Sequence, residues 1–516
     1  MDVPQYSLAR TADEFPDRPA VVDADTGDTV TFAELEDRSD RIAGLLADLG
    51  LEKGDHVAVL MDNDARTFEI IWATQRSGLY ITPINWHLKA DEARYIVEDC
   101  DAKVIFANAA TASLAETIPL GSVLAHRIAV GSAIPGYDDL DTLLAARTGE
   151  VGPYSDAEGM MMLYSSGTTG RPKGILRPLS GTRFGETPGQ SAEMEREWQG
   201  EIRHLCTAPL YHALALSTSM FAHKMGGTVV STRRFEPERA LQIIERHRVT
   251  HAGMVPTMFV RLLKLPADVR RRYDVSSLQF VIHTGAPCPI PVKEQMIAWW
   301  GEVVWEIYAG SEGNGSCLVD AHTWLRHKGT VGQAHSGSVH IIDQDGEELA
   351  VGEVGIVAFS GLAPFQYYKD PAKTATTVMN AKGWSTIGDL GHVDQEGFLY
   401  LSDRRTDLII SGGVNIYPRE VENVLTMHPK VLDVAVIGIP DPEMGHQVKA
   451  VVQLVDPADS GPATEAELIA YCRDRIAHFK CPRTVDFEAE LPRLPSGKLL
   501  KRDIMERYRT ADSASA

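Results

Sequence analysis

Basic residues are in short supply. Across 516 residues Lys and Arg number 50 against 71 Asp and Glu, a formal net charge of −21. Affinity for a nucleic-acid backbone comes from clustered cations, so the balance argues against a nucleic-acid partner. It leaves room for a small anion, because a few amides and one lysine outweigh distant charge over a screening length of about 8–10 Å. Long apolar runs are missing as well. No stretch approaches the ~20 residues of a membrane-spanning helix, which sets the expectation of no integral membrane segment. The opening MDVPQYSLARTADEF has neither the basic start nor the apolar centre of a secretory signal. Cysteines number six (Cys100, Cys206, Cys288, Cys317, Cys472 and Cys481), with no CxxC and no Cys/His pair at metal-ligand spacing. Reduced thiols in a cytoplasmic protein are the expectation.

What is present is an alternation of helical and strand patterns, in a chain long enough for about two to four domains. Thr31-Phe32-Ala33-Glu34 is a capping box, followed at helical spacing by Leu35, Ile42, Leu45, Leu46 and Leu49. HVAVLM, LYITPI and KVIFAN read as strands, with FEIIWATQRSG and ADEARYIVEDC between them as helices. Short connections between such elements imply parallel strands joined by crossover helices. The rhythm returns at FEPERALQIIERHRV–THAGMVP and VKEQMIAWWG–VVWEIYA. Polar, charged residues fill Gly181 to Arg203, which predicts an exposed excursion with a short helix near Ala192–Trp198. From Ser336 the pattern becomes short strands and turns, SVHIIDQDGEEL and EVGIVAFSG suggesting an antiparallel unit. The tail VLDVAVIGI, VKAVVQLV, ATEAELIAYCRDRI and TVDFEAE reads as a compact α+β unit, with a boundary at the charged Asp403–Asp407.

One stretch carries unusual chemistry. In YSSGTTGRPKG the hydroxyls of Ser165, Ser166, Thr168 and Thr169 and the amides of Gly167 and Gly170 sit behind an apolar strand, with Lys173 as a nearby point charge. Such a concavity of amides and hydroxyls can bind phosphate. The loop fails the pattern G-x-x-x-x-G-K-[ST], since its glycines are too close and Gly174 follows the lysine. Taken alone, a short Gly-rich stretch of this kind is more often a surface turn.

SSGTTGRPKG resembles the phosphate loop of the adenylate-forming superfamily, which includes acyl- and aryl-CoA synthetases, luciferase and peptide-synthetase adenylation domains. Further likenesses follow in family order: PLYHA (Pro209–Ala213), IHTGAPCP (Ile282–Pro289), EIYAGSEGNG (Glu306–Gly315), STIGDLG (Ser385–Gly391), SDRRTDLIISGGVNIYPREVE (Ser402–Glu422) and LPRLPSGKLLKRDI (Leu491–Ile504). The resemblance implies a large N-terminal adenylation domain, residues 1–403, of parallel-rich αβα sheets plus a distorted β-barrel. It also implies a small mobile α+β domain, residues 404–516.

The implied reaction starts with attack of a carboxylate on the α-phosphorus of ATP. Two anions meet there, so cations and Mg²⁺ are needed at the phosphates. By resemblance, Thr168 and Thr169 grip the β- and γ-phosphates, and Glu312 holds Mg²⁺, which ordinarily takes one or two carboxylates plus phosphate oxygens. Tyr308 stacks on adenine beside Gly285, Ala286 and Pro287, with Ser311 alongside the nucleotide. Asp389 and Arg404 reach the ribose, and Lys498 bridges the carboxylate and the α-phosphate. Thr406 occupies the hinge, where relatives more often carry Asp or Lys. Gly412 and Gly413 resemble the segment that lets a pantetheine arm pass, and Lys480 and Arg483 stand near the expected CoA nucleotide. His212 lines the acyl pocket with Tyr211, Ala213, His283, Thr284, Ala309 and Gly310. No cation is evident among these pocket positions, which favours a monocarboxylate with an apolar tail: fatty, steroid side-chain or aryl.

The expected function is therefore an ATP-dependent acyl-CoA synthetase using ATP, Mg²⁺ and CoA, acting as a monomer or homodimer. A freestanding enzyme loading a separate carrier protein is the first alternative, since no carrier domain with its phosphopantetheine serine is read after the C-terminal unit. An ATP- or AMP-binding sensor without catalysis is the second, against which Thr169, Glu312, Asp389 and Lys498 all speak.

Overall fold

The capping box forms as its spacing predicts. Thr31 Oγ1 accepts from the Glu34 amide at 3.2 Å, and the Glu34 carboxylate accepts from the Thr31 amide at 2.9 Å. The helix it opens, Phe32–Asp48, buries Leu35, Ile42, Leu45 and Leu46 on one face. A second helix, Ala65–Arg76, is fixed to it by a fully desolvated guanidinium: Arg76 donates to Asp40 at 2.8 Å and to Glu36 at 2.5 Å. A computed structural model supplies this geometry and describes residues 3–148, 155–164, 171–189, 191–380, 382–404, 407–441, 443–493 and 499–513.

The chain divides into two units, the first made of residues 1–254, 266–282 and 363–375. Within it, six parallel strands lie in the order Asp138–Asp139, His126–Val130, Ala102–Asn108, His56–Leu60, Tyr80–Pro83 and Met160–Met161. His56–Leu60 is buried at every position, as expected of a central strand covered on both faces. His251–Met254, Arg203–Cys206, Thr228–Ser231 and Pro19–Asp23 form a second parallel run, edged by the antiparallel Thr29–Thr31. The helices Ala213–Lys224 and Pro237–His247 are its crossovers.

The second unit comprises residues 255–265, 283–362 and 376–516. It holds the antiparallel trio Val304–Ala309, Ser316–Val319 and Gln333–Ser336. Where the sequence suggests antiparallel strands, a four-stranded sheet runs Ser338–Ile342, Gly355–Ser360, Asp389–Val393, Leu399–Arg404. Farther along, Val431–Asp441, Gly445–Leu454 and Thr484–Phe487 make a three-stranded sheet carrying the helices Pro418–Thr426 and Pro462–Arg473. All six cysteines are buried free thiols. No helix among the described residues is long and apolar enough to cross a membrane.

The segment read as an exposed excursion departs from its expectation. Its helix forms at Ala192–Glu197, yet Phe184, Met194, Trp198 and Ile202 are buried. Trp198 inserts among His204, Phe221, His251 and Phe280, its ring 4.4 Å from that of His251 between centroids. The His251 Nε2–H also donates to the Glu197 carbonyl at 3.2 Å, tying the end of the helix to the sheet. The apolar anchors are sparse in sequence but converge in space.

Several buried histidines in this unit are held neutral. Burial pushes His56, His223 and His251 down to about 4, and His204 to about 3. The neutral form of His223 is enforced by its partners, since Nδ1 accepts from Trp72 Nε1 at 3.0 Å and Nε2–H donates to Ala20 O at 2.9 Å. In the unfolded chain these rings titrate near pH 6.5. Between roughly pH 6.5 and 4 the unfolded chain therefore binds more protons than the fold, and stability falls as pH falls through that window. Each unit of depression is worth about 1.4 kcal/mol. The melting temperature, flat above pH 7, should drop steeply from pH 6.5 toward pH 4.5 in a thermal-shift series; a level profile across that range would contradict the burial of four neutral histidines.

Candidate active site

Three of the segments singled out from sequence, residues 165–170, Thr406 and Lys498, lie outside the described residues. The rest fall into two groups, one in each unit.

In the second unit, the strand Val304–Ala309 ends in a turn closed by the Gly313 amide on the Gly310 carbonyl at 3.0 Å. Tyr308 leaves this strand so that its hydroxyl donates to Asp389 Oδ2 at 2.7 Å. Asp389 opens its own strand, directly opposite Arg404 in the antiparallel register. It is positioned by the turn before it, where Thr386 Oγ1 donates to Val357 O at 2.7 Å and accepts from the Gly388 amide at 3.0 Å. The structure thus brings together three residues that sequence comparison had to link across almost a hundred positions.

Glu312 sits half-buried on the turn. A side chain at Gly310 would place its Cβ 2.9 Å from Glu312 Oε2 and 2.9 Å from Ile387 Cδ1. The missing side chain at 310 is therefore space that the Glu312 carboxylate occupies, while the neighbouring Ala309 and Ser311 are exposed. Gly285, Ala286 and Pro287 follow the strand Phe280–His283 as a loop, Gly285 at φ +85°, a left-handed conformation suited to glycine. His283 is fully buried and has no hydrogen-bond partner on either ring nitrogen among the described residues. Burial pushes it down to about 3, so it is neutral at physiological pH. Thr284 is half-buried at the loop's start.

The glycines Gly412 and Gly413 form a two-residue turn between Ile409–Ser411 and Val414–Ile416, with Ser411 opposite Val414. Their φ values of +57° and +79° are those of the hairpin turn whose twist suits antiparallel strands. A Cβ on Gly412 would also lie 2.3 Å from Met444 Cε, whereas Gly413 faces open space. Lys480 is paired with Glu420 at 2.6 Å, and Arg483 with Asp441 at 3.3 Å. Neither pairing could be read from the sequence.

In the first unit, His212 is the N-cap of the helix Ala213–Lys224 but makes no side-chain cap bond. Its ring meets that of Tyr211 at 4.3 Å, and Trp86 packs edge-on against Tyr211 at 4.6 Å. Burial, with the neighbouring His87, pushes His212 down to about 4. His212 Nε2 and the Tyr211 hydroxyl are buried without hydrogen-bond partners among the described residues. Tyr211 borders a cavity of about 10 Å³, roughly the room of one water. Lys173 forms an ion pair with Asp370, whose carboxyl is held below the usual range by that lysine. A groove of about 450 Å³ at the starts of the strands Pro19–Asp23, Arg203–Cys206 and Thr228–Ser231 contains none of the residues singled out from sequence.

What sequence reasoning missed are Asp370, Trp86 and a buried charge pair, Lys293 and Glu306, joined at 2.7 Å. For the pair, the sequence signal is charge inside a largely apolar element, Lys293 in VKEQMIAWW and Glu306 in VVWEIY. Removing the Tyr308 hydroxyl alone isolates the bond to Asp389. Tyr308→Phe should cost about 1.5–3 kcal/mol in chemical denaturation, as expected for a hydrogen bond to a charged group, and weaken AMP binding several-fold by calorimetry; unchanged values in both would remove this bond from the site.

Comparison with known proteins gives the arrangement its family. Residues 8–369 match the family described as AMP-binding enzyme, and residues 420–498 match the AMP-binding enzyme C-terminal domain. The chain is 31% identical over 513 residues to the long-chain-fatty-acid–CoA ligase FadD13 of Mycobacterium tuberculosis, covering 98% of each. Among solved structures it is similar to the amide bond synthetase McbA from Marinactinospora thermotolerans, at TM-score 0.80 and 27% identity, covering 98% of this chain and 100% of that one. The o-succinylbenzoate CoA synthetase MenE from Bacillus subtilis, in complex with its acyl-adenylate intermediate, matches at TM-score 0.78 and 29% identity, covering 97% and 98%. The chain belongs to the AMP-binding enzyme family, the adenylate-forming superfamily, as an enzyme of its acyl-CoA synthetase branch.

Proposed function

We propose that this enzyme activates a hydrophobic monocarboxylic acid to its acyl-adenylate with release of pyrophosphate, and then transfers the acyl group to CoA with release of AMP. The observation that carries the reading is the Tyr308–Asp389 hydrogen bond beside the Gly310–Glu312 turn, with Arg404 opposite Asp389. Tyr308 and the loop Gly285–Pro287 would hold adenine, and Asp389 and Arg404 the ribose. The Glu312 carboxylate, lying where a side chain at 310 would stand, fits Mg²⁺, which characteristically combines one or two carboxylates with phosphate oxygens. The metal would neutralise charge as the carboxylate approaches the α-phosphate. Thr168 and Thr169 would hold the departing pyrophosphate.

The acyl group would lie against Tyr211, His212 and Ala213, and against His283, Thr284, Ala309 and Gly310. The histidines in this set are neutral, so they offer hydrogen bonds rather than charge. That supports an uncharged tail, and the relation to FadD13 and MenE keeps both fatty and aryl-type acids within the class. The reading places the mobile unit at residues 404–516, turning about Thr406 so that Lys498 serves adenylation and the Gly412–Gly413 turn serves thioester formation.

A second acceptor has one observation in its favour. Lys480 and Arg483, the cations expected at the CoA nucleotide, are each engaged by a carboxylate, Glu420 and Asp441. Such pairing suits a carrier-protein phosphopantetheine, which lacks the CoA nucleotide. Pyrophosphate release across a panel of fatty, steroid side-chain and aryl acids, with CoA or a carrier as acceptor, separates the readings. The expected result is release with an apolar monocarboxylate and turnover with CoA; release with no acid would count against catalysis itself. Lys498→Ala should lower adenylate formation by about 10²-fold or more, yet leave CoA transfer from pre-formed acyl-adenylate within about twofold. Parallel loss of both halves would rule out a lysine confined to the first step.

A further inference from the structure

The loop Thr284–Pro289 is bounded on one side by His283, the last residue of its strand, and on the other by the helix Ile290–Trp300. Both boundaries converge on one side chain. Lys293, in the first turns of that helix, donates to Glu306 Oε2 at 2.7 Å, and His283 Nε2 lies 3.6 Å from the same oxygen. Glu306 belongs to the strand Val304–Ala309, two residues before Tyr308 and on the same face. The carboxylate therefore ties the helix that follows the loop to the strand that carries Tyr308, with the neutral His283 ring packed beside it at the loop's other end.

This arrangement is dry. Lys293 and His283 are fully buried, and Glu306 nearly so. The Lys293 ammonium lies 4.8 Å over the Trp324 ring, and Phe259 packs edge-on against His283 at 5.3 Å. Desolvation raises the Glu306 carboxyl, but the Lys293 charge overrides it and holds the group below its usual range. His283 stays neutral, so the countercharge hydrogen-bonded to Glu306 among the described residues is Lys293. A buried ion pair adds little net stability, because desolvation of both ions offsets their attraction, and apolar replacement of the pair is often neutral or stabilising. A pair that adds little net stability, bridging the helix that follows the loop and the strand that carries Tyr308, is explained by the geometry it fixes.

We infer that Glu306, with Lys293, is a positioning residue for the nucleotide: it sets the separation between the loop Gly285–Pro287 and the Tyr308 ring, and so the width of the slot for adenine. The inference rests on the proposed reading of Tyr308 and that loop as the adenine site. Misplacement by about 1 Å at a binding surface is enough to cost up to about 10²-fold, so the effect should fall on nucleotide and spare the acid.

Three variants test it, read by AMP calorimetry, steady-state KM for ATP and for the acid, and thermal melting. Glu306→Gln should weaken AMP binding and raise the ATP KM by about tenfold or more while the acid KM moves less than about twofold. Because it leaves the Lys293 ammonium uncompensated, it should also lower the melting temperature. The double variant Lys293→Met, Glu306→Leu removes both charges at similar volume, and is expected to recover the melting temperature without recovering AMP affinity. Tyr308→Ala is the reference for the adenine reading. If Tyr308→Ala leaves AMP affinity intact, the adenine reading fails and the inference with it. If Tyr308→Ala weakens AMP while Glu306→Gln does not, or if the double variant restores wild-type affinity, the positioning role is overturned and the adenine reading stands.

Discussion

The Tyr308–Asp389 hydrogen bond joins two strands of the second unit that belong to different sheets, and the candidate nucleotide site is organised around it. Tyr308 comes from an antiparallel trio whose next turn carries Glu312. Asp389 comes from a four-stranded sheet in which its register partner is Arg404. Neither sheet alone presents the Tyr308 ring together with the carboxylates of Glu312 and Asp389. A charge-assisted bond of this kind is worth about 1.5–3 kcal/mol, modest against the whole fold but large for the relative placement of two side chains. The turn from Gly310 to Gly313 and the loop of Thr386 and Gly388 can be read as the local devices that deliver each partner to it.

A second constraint acts through burial. Histidine is the side chain most easily charged near neutral pH, yet at His204, His212, His223, His251 and His283 desolvation keeps the ring neutral. The consequences differ with the partners available. His223 has both nitrogens satisfied and serves packing. His212 and His283 have ring nitrogens buried without partners, and an unmet polar atom in a desolvated place is costly unless something fills it. Both are among the residues that sequence reading singled out, one in each unit. The charge economy is consistent: a chain of net charge −21 that must bring a carboxylate to a triphosphate gains nothing from further acids there, and neutral imidazoles add none.

Legibility followed the range of the interaction. The Thr31 capping box, the helix at Ala192–Glu197 and the parallel alternation were readable because each rests on neighbours in sequence. The ordered motifs singled out Tyr308, Asp389 and Arg404, and the fold brings Tyr308 onto Asp389 and sets Arg404 opposite it in register, although composition alone would have left each an ordinary surface residue. Trp198 was misjudged because its surroundings in sequence are polar, while Phe221, His251 and Phe280, which enclose it, lie as much as eighty residues away. Lys480 and Arg483 looked available because their carboxylates, Glu420 and Asp441, come from other elements. Lys293 and Glu306 escaped notice for the opposite reason, since a charged residue is surface-bound by default and only tertiary structure reveals a buried pair.

The turn at Gly412 and Gly413 shows how glycines can be called for by more than one constraint. Resemblance makes these glycines a passage for a pantetheine arm, and the absence of side chains is the steric argument for it. The backbone supplies a prior argument: both φ values are positive, the hairpin requires them, and at Gly412 a side chain would strike Met444. Gly412 is therefore favoured by its left-handed conformation, and a side chain there would also displace the Met444 methyl. Gly413 faces open space, so only its conformation constrains it locally, and asparagine tolerates that conformation better than other side chains. Of the two positions, Gly413 is the one where a side chain can probe passage with the least disturbance of the turn, and a role in transfer must be sought there.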